Sequence, residues 1–293
     1  MKKSNQPGGR LVIIGGAEER PGPILQEFVR LAGGPEDARI VVMTVASEQH
    51  DAMEEEYRVA FGKLGVRDIR VLETTGRADA DRPESAAVVN RATGVFFTGG
   101  DQKRISQFLG KTKLEEALHQ GYARGLIIAG TSAGASMMAD LMMDEGYSEE
   151  CPRAGVVTLG PGLGFLPGVI IDQHFSQRGR IGRLLTAVAV EPDRLGFGIG
   201  ENVAMVVTGD EVEVIGDGDV TVVDLARARH NNLETREENQ PLALWNVTLH
   251  TLSPGYRFDL ASRTPLLPRQ LLAGGAADGQ RATAAAARGA SDA

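Results

Sequence analysis

The chain has 293 residues, 42% of them hydrophobic, enough to bury a substantial core as one large α/β domain or two small ones. A formal net charge of −8 and a pI near 5.3 argue against nucleic acid as a main partner, because phosphate neutralisation needs a basic face. The single cysteine, Cys151, excludes an intrachain disulfide and any multi-cysteine metal site, and fits a reducing, cytoplasmic setting.

The N-terminus has two lysines but no apolar h-region before Pro7, so no secretory signal is expected. Nowhere do about 18 apolar residues run together, so no membrane span is expected either. Leu11 to Ile14 reads as a buried strand closing on Gly15-Gly16, and Pro23 to Leu31 carries helical spacing with Ile24, Phe28 and Leu31 on one side. The turn Gly15-Gly16-Ala17-Glu18 lacks the Gly-x-Gly-x-x-Gly of a dinucleotide site, and no cofactor or metal is expected. Strands follow at Arg39 to Val45, Ile69 to Leu72 and Val95 to Thr98, alternating with helices at His50 to Leu64 and Ser85 to Ala92. After Gly99-Gly100-Asp101-Gln102 come helical stretches at Ile105 to Leu109 and Leu114 to Ala123.

Leu126-Ile127-Ile128-Ala129 then runs straight into Gly130-Thr131-Ser132-Ala133-Gly134, and an Ala/Met-rich helical pattern extends from Ser136 to Met143. Strand, Gly-x-Ser-x-Gly and helix in that order describe a sharp turn that lifts Ser132 Oγ out of the backbone, with the Ala133 N–H pointing the same way. Further apolar runs end at Asp172-Gln173-His174-Phe175 and at Gly198-Ile199-Gly200-Glu201. Short β-branched runs between Val203 and Val223, broken by Gly-Asp pairs, read as antiparallel hairpins, and Leu244 to Asp259 adds another strand region. The expected architecture is α/β, a mostly parallel sheet covered by helices on both faces with C-terminal antiparallel hairpins, in one domain over 1–272. Residues 273–293 contain too little apolar surface to offset their ordering entropy and read as a disordered tail.

In open sheets, sites form beyond the carboxyl ends of strands. A serine hydroxyl there needs a base, and His174 is the one histidine at the end of a buried strand. A carboxylate must hold the ring: Glu201, at another strand end, ranks first, and Asp172, two residues before His174, competes for the role. Arg178, Arg180 and Arg183 lie in a stretch free of acidic residues from Phe175 to Val190, suited to clamping carboxylates.

These blocks together resemble the cyanophycinases, in the peptidase family that also holds aspartyl dipeptidase, over roughly Arg10 to Leu260. The resemblance implies a three-layer fold like that of class I glutamine amidotransferases, a homodimer, and a serine exopeptidase releasing β-Asp-Arg dipeptides from the polymer cyanophycin. It further implies Ser132 as nucleophile, His174 as base, Glu201 as orienter, and an oxyanion hole from Ala133, Gly99 and Gly100. A substrate unit carries both an arginine side chain and a free carboxylate. The pocket is therefore expected to draw on Arg178, Arg180 and Arg183 for positive charge, Asp172 for negative, and Gln102 and Gln173 as neutral partners. Two alternatives stand beside this reading: an aspartyl dipeptidase acting on short Asp-initiated peptides, and a non-catalytic protein that binds the polymer.

Overall fold

In the computed structural model, which describes residues 8–147 and 151–271, the apolar runs become the strands of two packed sheets. The first half alternates strand and helix: β1 (Leu11–Ile14), α1 (Pro23–Leu31), β2 (Arg39–Met43), α2 (His50–Lys63), β3 (Asp68–Leu72). It continues through α3 (Arg77–Ala80), α4 (Pro83–Arg91), β4 (Gly94–Phe97), α5 (Gln102–Leu109), α6 (Lys113–Ala123), β5 (Ile127–Thr131) and the single turn α7 (Ala133–Ser136). The second half is richer in strands: β6 (Leu141–Gly146), β7 (Val157–Pro161), β8 (Val169–Asp172), α8 (Ile181–Val190), β9 (Leu195–Ile199) and β10 (Val203–Thr208). Then come β11 (Glu211–Gly216), β12 (Val220–Asp224), β13 (His230–Asn231), β14 (Leu244–Trp245), β15 (Thr248–Leu252), β16 (Arg257–Asp259) and β17 (Thr264–Leu266).

The large sheet has nine strands in the order β17-β16-β11-β10-β1-β5-β4-β2-β3. Its β1-β5-β4-β2-β3 half is parallel, as strands joined by crossover helices must be, and its other half is antiparallel. Both faces are covered, so β1 is apolar throughout. Val12 and Ile14 pack with Leu25 and Phe28 of α1 and Tyr57 and Phe61 of α2, while Leu11 and Ile13 face the opposite core with Leu114 and Leu118 of α6.

A second sheet, in the order β15-β12-β9-β8, lies against that opposite face, and Phe197 of β9 meets Phe258 of β16 edge to face at 5.9 Å. Its outer face is covered by α8 through Leu184, Ala187 and Val188. The sequence reading places the histidine and glutamate strands on the rim of the serine sheet. They belong instead to this second sheet, because β9 takes β12 as partner and which strands pair is a long-range choice that local patterning does not encode.

One helix is not found. The Ser136 to Met143 stretch does not form a helix: the helical turn is Ala133–Ser136, and Leu141–Gly146 is a strand paired antiparallel with β7. The carbonyls of Met137, Met138 and Ala139, which a continuing helix would use, accept instead from the N–H groups of Leu163, Leu166 and Gly164. Tertiary pairing overrides the helix preference of Ala and Met here. No helix among the described residues is long and apolar enough to cross a membrane. Residues 273–293, read as a disordered tail, lie outside the described residues.

Candidate active site

Five strand ends, those of β1, β4, β5, β8 and β9, meet where the two sheets join. β5 ends at Thr131 and turns through Ser132 into α7. Gly130 and Gly134 permit that turn: a Cβ on Gly130 would stand 2.2 Å from the Gly134 carbonyl oxygen, and one on Gly134 2.7 Å from that of Phe97. Ser132 itself sits at φ +52°, a conformation that side chains other than glycine rarely adopt.

Beyond β8 the backbone turns the same way. His174 has φ +48°, and its N–H donates to the Gly15 carbonyl at 2.7 Å. Glu201 follows the end of β9, and its N–H donates to Gln177 Oε1 at 3.0 Å. Of eight non-glycine residues with positive φ among those described, Ala17, Ser132, His174 and Asn202 all lie at this rim. Backbone strain of this kind collects where the surrounding structure holds a site in place.

The three side chains form a continuous hydrogen-bonded chain. His174 Nδ1 lies 2.6 Å from Glu201 Oε1, and Nε2 lies 3.0 Å from Ser132 Oγ. A carboxylate only accepts, so Nδ1 carries the proton and Nε2 is the acceptor for the serine hydroxyl. Burial is the largest influence on His174 and lowers its pKa; the Glu201 hydrogen bond opposes it, and Arg178 adds to it. The ring is therefore neutral at neutral pH and can receive a proton. Asp172 does not reach the ring: its carboxylate is 1% exposed and turned toward Arg180 and Arg183.

That turn separates the candidate substrate residues into two groups. Arg183 donates through Nε to Asp172 Oδ2 at 2.7 Å and through Nη2 to Asp172 Oδ1, and through Nη1 to the Gly146 carbonyl at 2.7 Å. Arg180 Nη1 bonds the Gln173 carbonyl and, at 3.1 Å, Gln173 Oε1. Burial pushes the Arg180 guanidinium down to about 10, still cationic at neutral pH. Arg180 and Arg183 are thus buried and engaged with Asp172, whereas Arg178 is exposed. Gln173 Oε1 lies 3.5 Å from Ser132 Oγ. Gln102, at the start of α5, donates to the carbonyls of Met143 and Asp144 at 2.9 and 3.2 Å.

Gly99 abuts the serine, since a Cβ there would stand 3.4 Å from Ser132 Cβ. Gly100, at φ +144°, is held against the Ala46 carbonyl, to which Asp101 N–H donates at 2.9 Å. Gly99, just after the end of β4, and Ala133, at the start of α7, therefore both adjoin Ser132.

The family model of peptidase family S51 matches residues 11–215, most of the chain. The chain belongs to peptidase family S51. This S51 protein is a serine-type peptidase. It is 41% identical over 256 residues to a cyanophycinase of Thermosynechococcus vestitus, covering 86% of this chain and 79% of that one. To a cyanophycinase of Geminocystis herdmanii it is 38% identical over 260 residues, covering 87% and 95%. A crystal structure of a peptidase from an acI-B1 Actinobacterium superposes with a TM-score of 0.63 at 22% identity, over 87% of this chain and 98% of that one, a likeness of fold.

The sequence reading missed how much of the rim β1 supplies. Gly15-Gly16 was legible as a turn, but its contacts were not. Ser132 N–H donates to the Ile14 carbonyl at 3.0 Å, and Asn202 N–H to that of Gly16 at 2.9 Å. The only local signal was the pair of glycines after a buried strand.

Proposed function

We propose that this S51 peptidase hydrolyses the aspartate backbone of cyanophycin as an exopeptidase and releases β-Asp-Arg dipeptides. The observation that carries the reading is the hydrogen-bonded chain from Ser132 through His174 to Glu201, in a protein whose relatives are cyanophycinases. In this reading Ser132 Oγ attacks the scissile carbonyl carbon while His174 Nε2 takes its proton. Glu201 holds the Nδ1 tautomer and stabilises the imidazolium. The backbone N–H groups beside Ser132 receive the developing oxyanion. Collapse of the tetrahedral intermediate breaks the C–N bond, His174 returns the proton to the leaving amine, and water hydrolyses the acyl-enzyme by the reverse sequence.

For the substrate, the burial pattern favours a revised division of labour. Exposed Arg178 is the guanidinium free to meet a substrate carboxylate, while Arg180 and Arg183 are tied to Asp172 and fix Gln173 as a wall beside the nucleophile. Gln102 borders the same rim from the Gly99-Gly100 side. Purified protein should clear a cyanophycin suspension with accumulation of β-Asp-Arg, and Ser132→Ala should stop both while remaining folded. Full activity in Ser132→Ala would sink the proposal, and faster turnover of Asp-initiated dipeptides than of the polymer would reassign the substrate.

A further inference from the structure

The loop after β1 contains a carboxylate that the serine mechanism does not use. Glu18 is 3% exposed, and both of its oxygens are engaged. Tyr57 OH donates to Oε1 at 2.6 Å, and Thr131 Oγ1 donates to Oε2 at 2.5 Å. Arg20 stands at 3.7 Å from the same carboxylate and lies over the Tyr57 ring, with its guanidinium carbon 5.3 Å from the ring centre. Burial, reinforced by the neighbouring Glu18, raises the Tyr57 phenol well above its usual range, so it stays protonated and donates.

Thr131 is the residue before Ser132. Its hydroxyl is anchored on Glu18 from one side, and the Ser132 N–H is anchored on Ile14 from the other. The same loop carries Gly15 and Gly16, whose carbonyls hold His174 and Asn202, the residue after Glu201. Gly16 lies so near the imidazole that a Cβ on it would stand 2.3 Å from His174 Cε1. One short segment, Ile14 to Glu18, therefore touches the backbone or side chain of all three regions that supply the candidate trio. A buried carboxylate is an expensive way to fill space, since an apolar residue of similar volume would avoid its desolvation. Its position beside the strained serine turn calls for a role there.

Resting on the serine-peptidase reading above, we infer that Glu18 is a positioning residue: through Thr131 it holds the Ser132 turn in register with the His174 ring. It touches no substrate and transfers no proton. Loosening it displaces Ser132 Oγ relative to His174 Nε2 and leaves the substrate-binding surface alone, so the effect falls on kcat and not on KM. Misplacement of a reacting atom by about 1 Å costs about 100-fold in rate.

The experiment compares wild type, Glu18→Gln, Thr131→Val, Thr131→Ser and Ser132→Ala on cyanophycin, with circular dichroism and Tm recorded for each. Thr131→Val keeps the β-branched shape and removes only the hydroxyl. The expected result is a drop in kcat of about 10- to 100-fold for Glu18→Gln and Thr131→Val with KM within about twofold. Thr131→Ser, which returns the hydroxyl, should recover kcat toward wild type. If Glu18→Gln fails to fold, Thr131→Val decides alone. Wild-type kcat in folded Thr131→Val, with Ser132→Ala inactive, would overturn the positioning role and leave the serine mechanism standing. Activity in Ser132→Ala would instead overturn the mechanism on which the inference rests.

Discussion

Two ion-containing clusters grow from the same strand end and behave oppositely. His174 and Glu201 keep one polar atom, Nε2, aimed at a hydroxyl, and Glu201 remains one-third exposed. Asp172, two residues earlier, is 1% exposed and directs its oxygens at Arg180 and Arg183. Residues i and i+2 of a strand share a face, and on that rule Asp172 and His174 would compete for one place. The strand ends at Asp172, and the positive φ of His174 swings the ring out of the alternation. In the proposed mechanism the first cluster moves a proton, and the second only holds a wall.

Mutations should separate the two. Ser132→Ala gives the largest effect, a fall in kcat on cyanophycin of about 10⁶-fold with Tm unchanged, measured by release of new amine groups. Glu201→Gln follows, with about a 10⁴-fold loss if its only task is to fix the tautomer and charge of His174. Both variants should stay folded, which chemical denaturation would check.

Asp172→Ala should do the reverse. It leaves two buried guanidinium groups without their carboxylate and costs about 3–5 kcal/mol of folding free energy, visible as a lowered denaturation midpoint. A variant that instead keeps its stability and loses only KM would move Asp172 into the substrate pocket.

The smallest effect is a pH shift. His174 must be neutral to act, and its pKa is held below the ordinary value by burial first, with Arg178 contributing. Activity is therefore present above that lowered pKa and is lost as pH falls through it. Arg178→Gln removes a cation, raises the histidine pKa, and should move the acid limb of kcat/KM to higher pH. A limb that stays in place would show that burial, Glu201 and Arg180 set it without Arg178.

Local grammar made the parallel half of the large sheet readable. β1, α1 and the serine turn are encoded by runs of four or five buried apolar residues, by a proline at the first helical position, and by glycines that let backbone approach backbone. Ser132, His174 and Glu201 were legible as strand-end residues for the same reason. The second sheet was not, because nothing in β8 or β9 names β12 as their neighbour. Nor was the burial of Arg180 and Arg183: a run of arginines without nearby acids looks cationic until a carboxylate from the preceding strand folds onto it. Glu18 was invisible for a similar reason, since its partners Tyr57 and Thr131 lie 39 and 113 residues away.

In the proposed mechanism His174, oriented by Glu201, makes Ser132 Oγ nucleophilic. Labelling with an aryl sulfonyl fluoride followed by peptide mass spectrometry tests it directly, since a serine hydroxyl without an adjacent base displaces fluoride only slowly. One adduct is expected, on Ser132, that forms in wild type and is absent in folded His174→Ala. Modification of another residue with full loss of activity, or unchanged labelling of Ser132 without the imidazole, would contradict it.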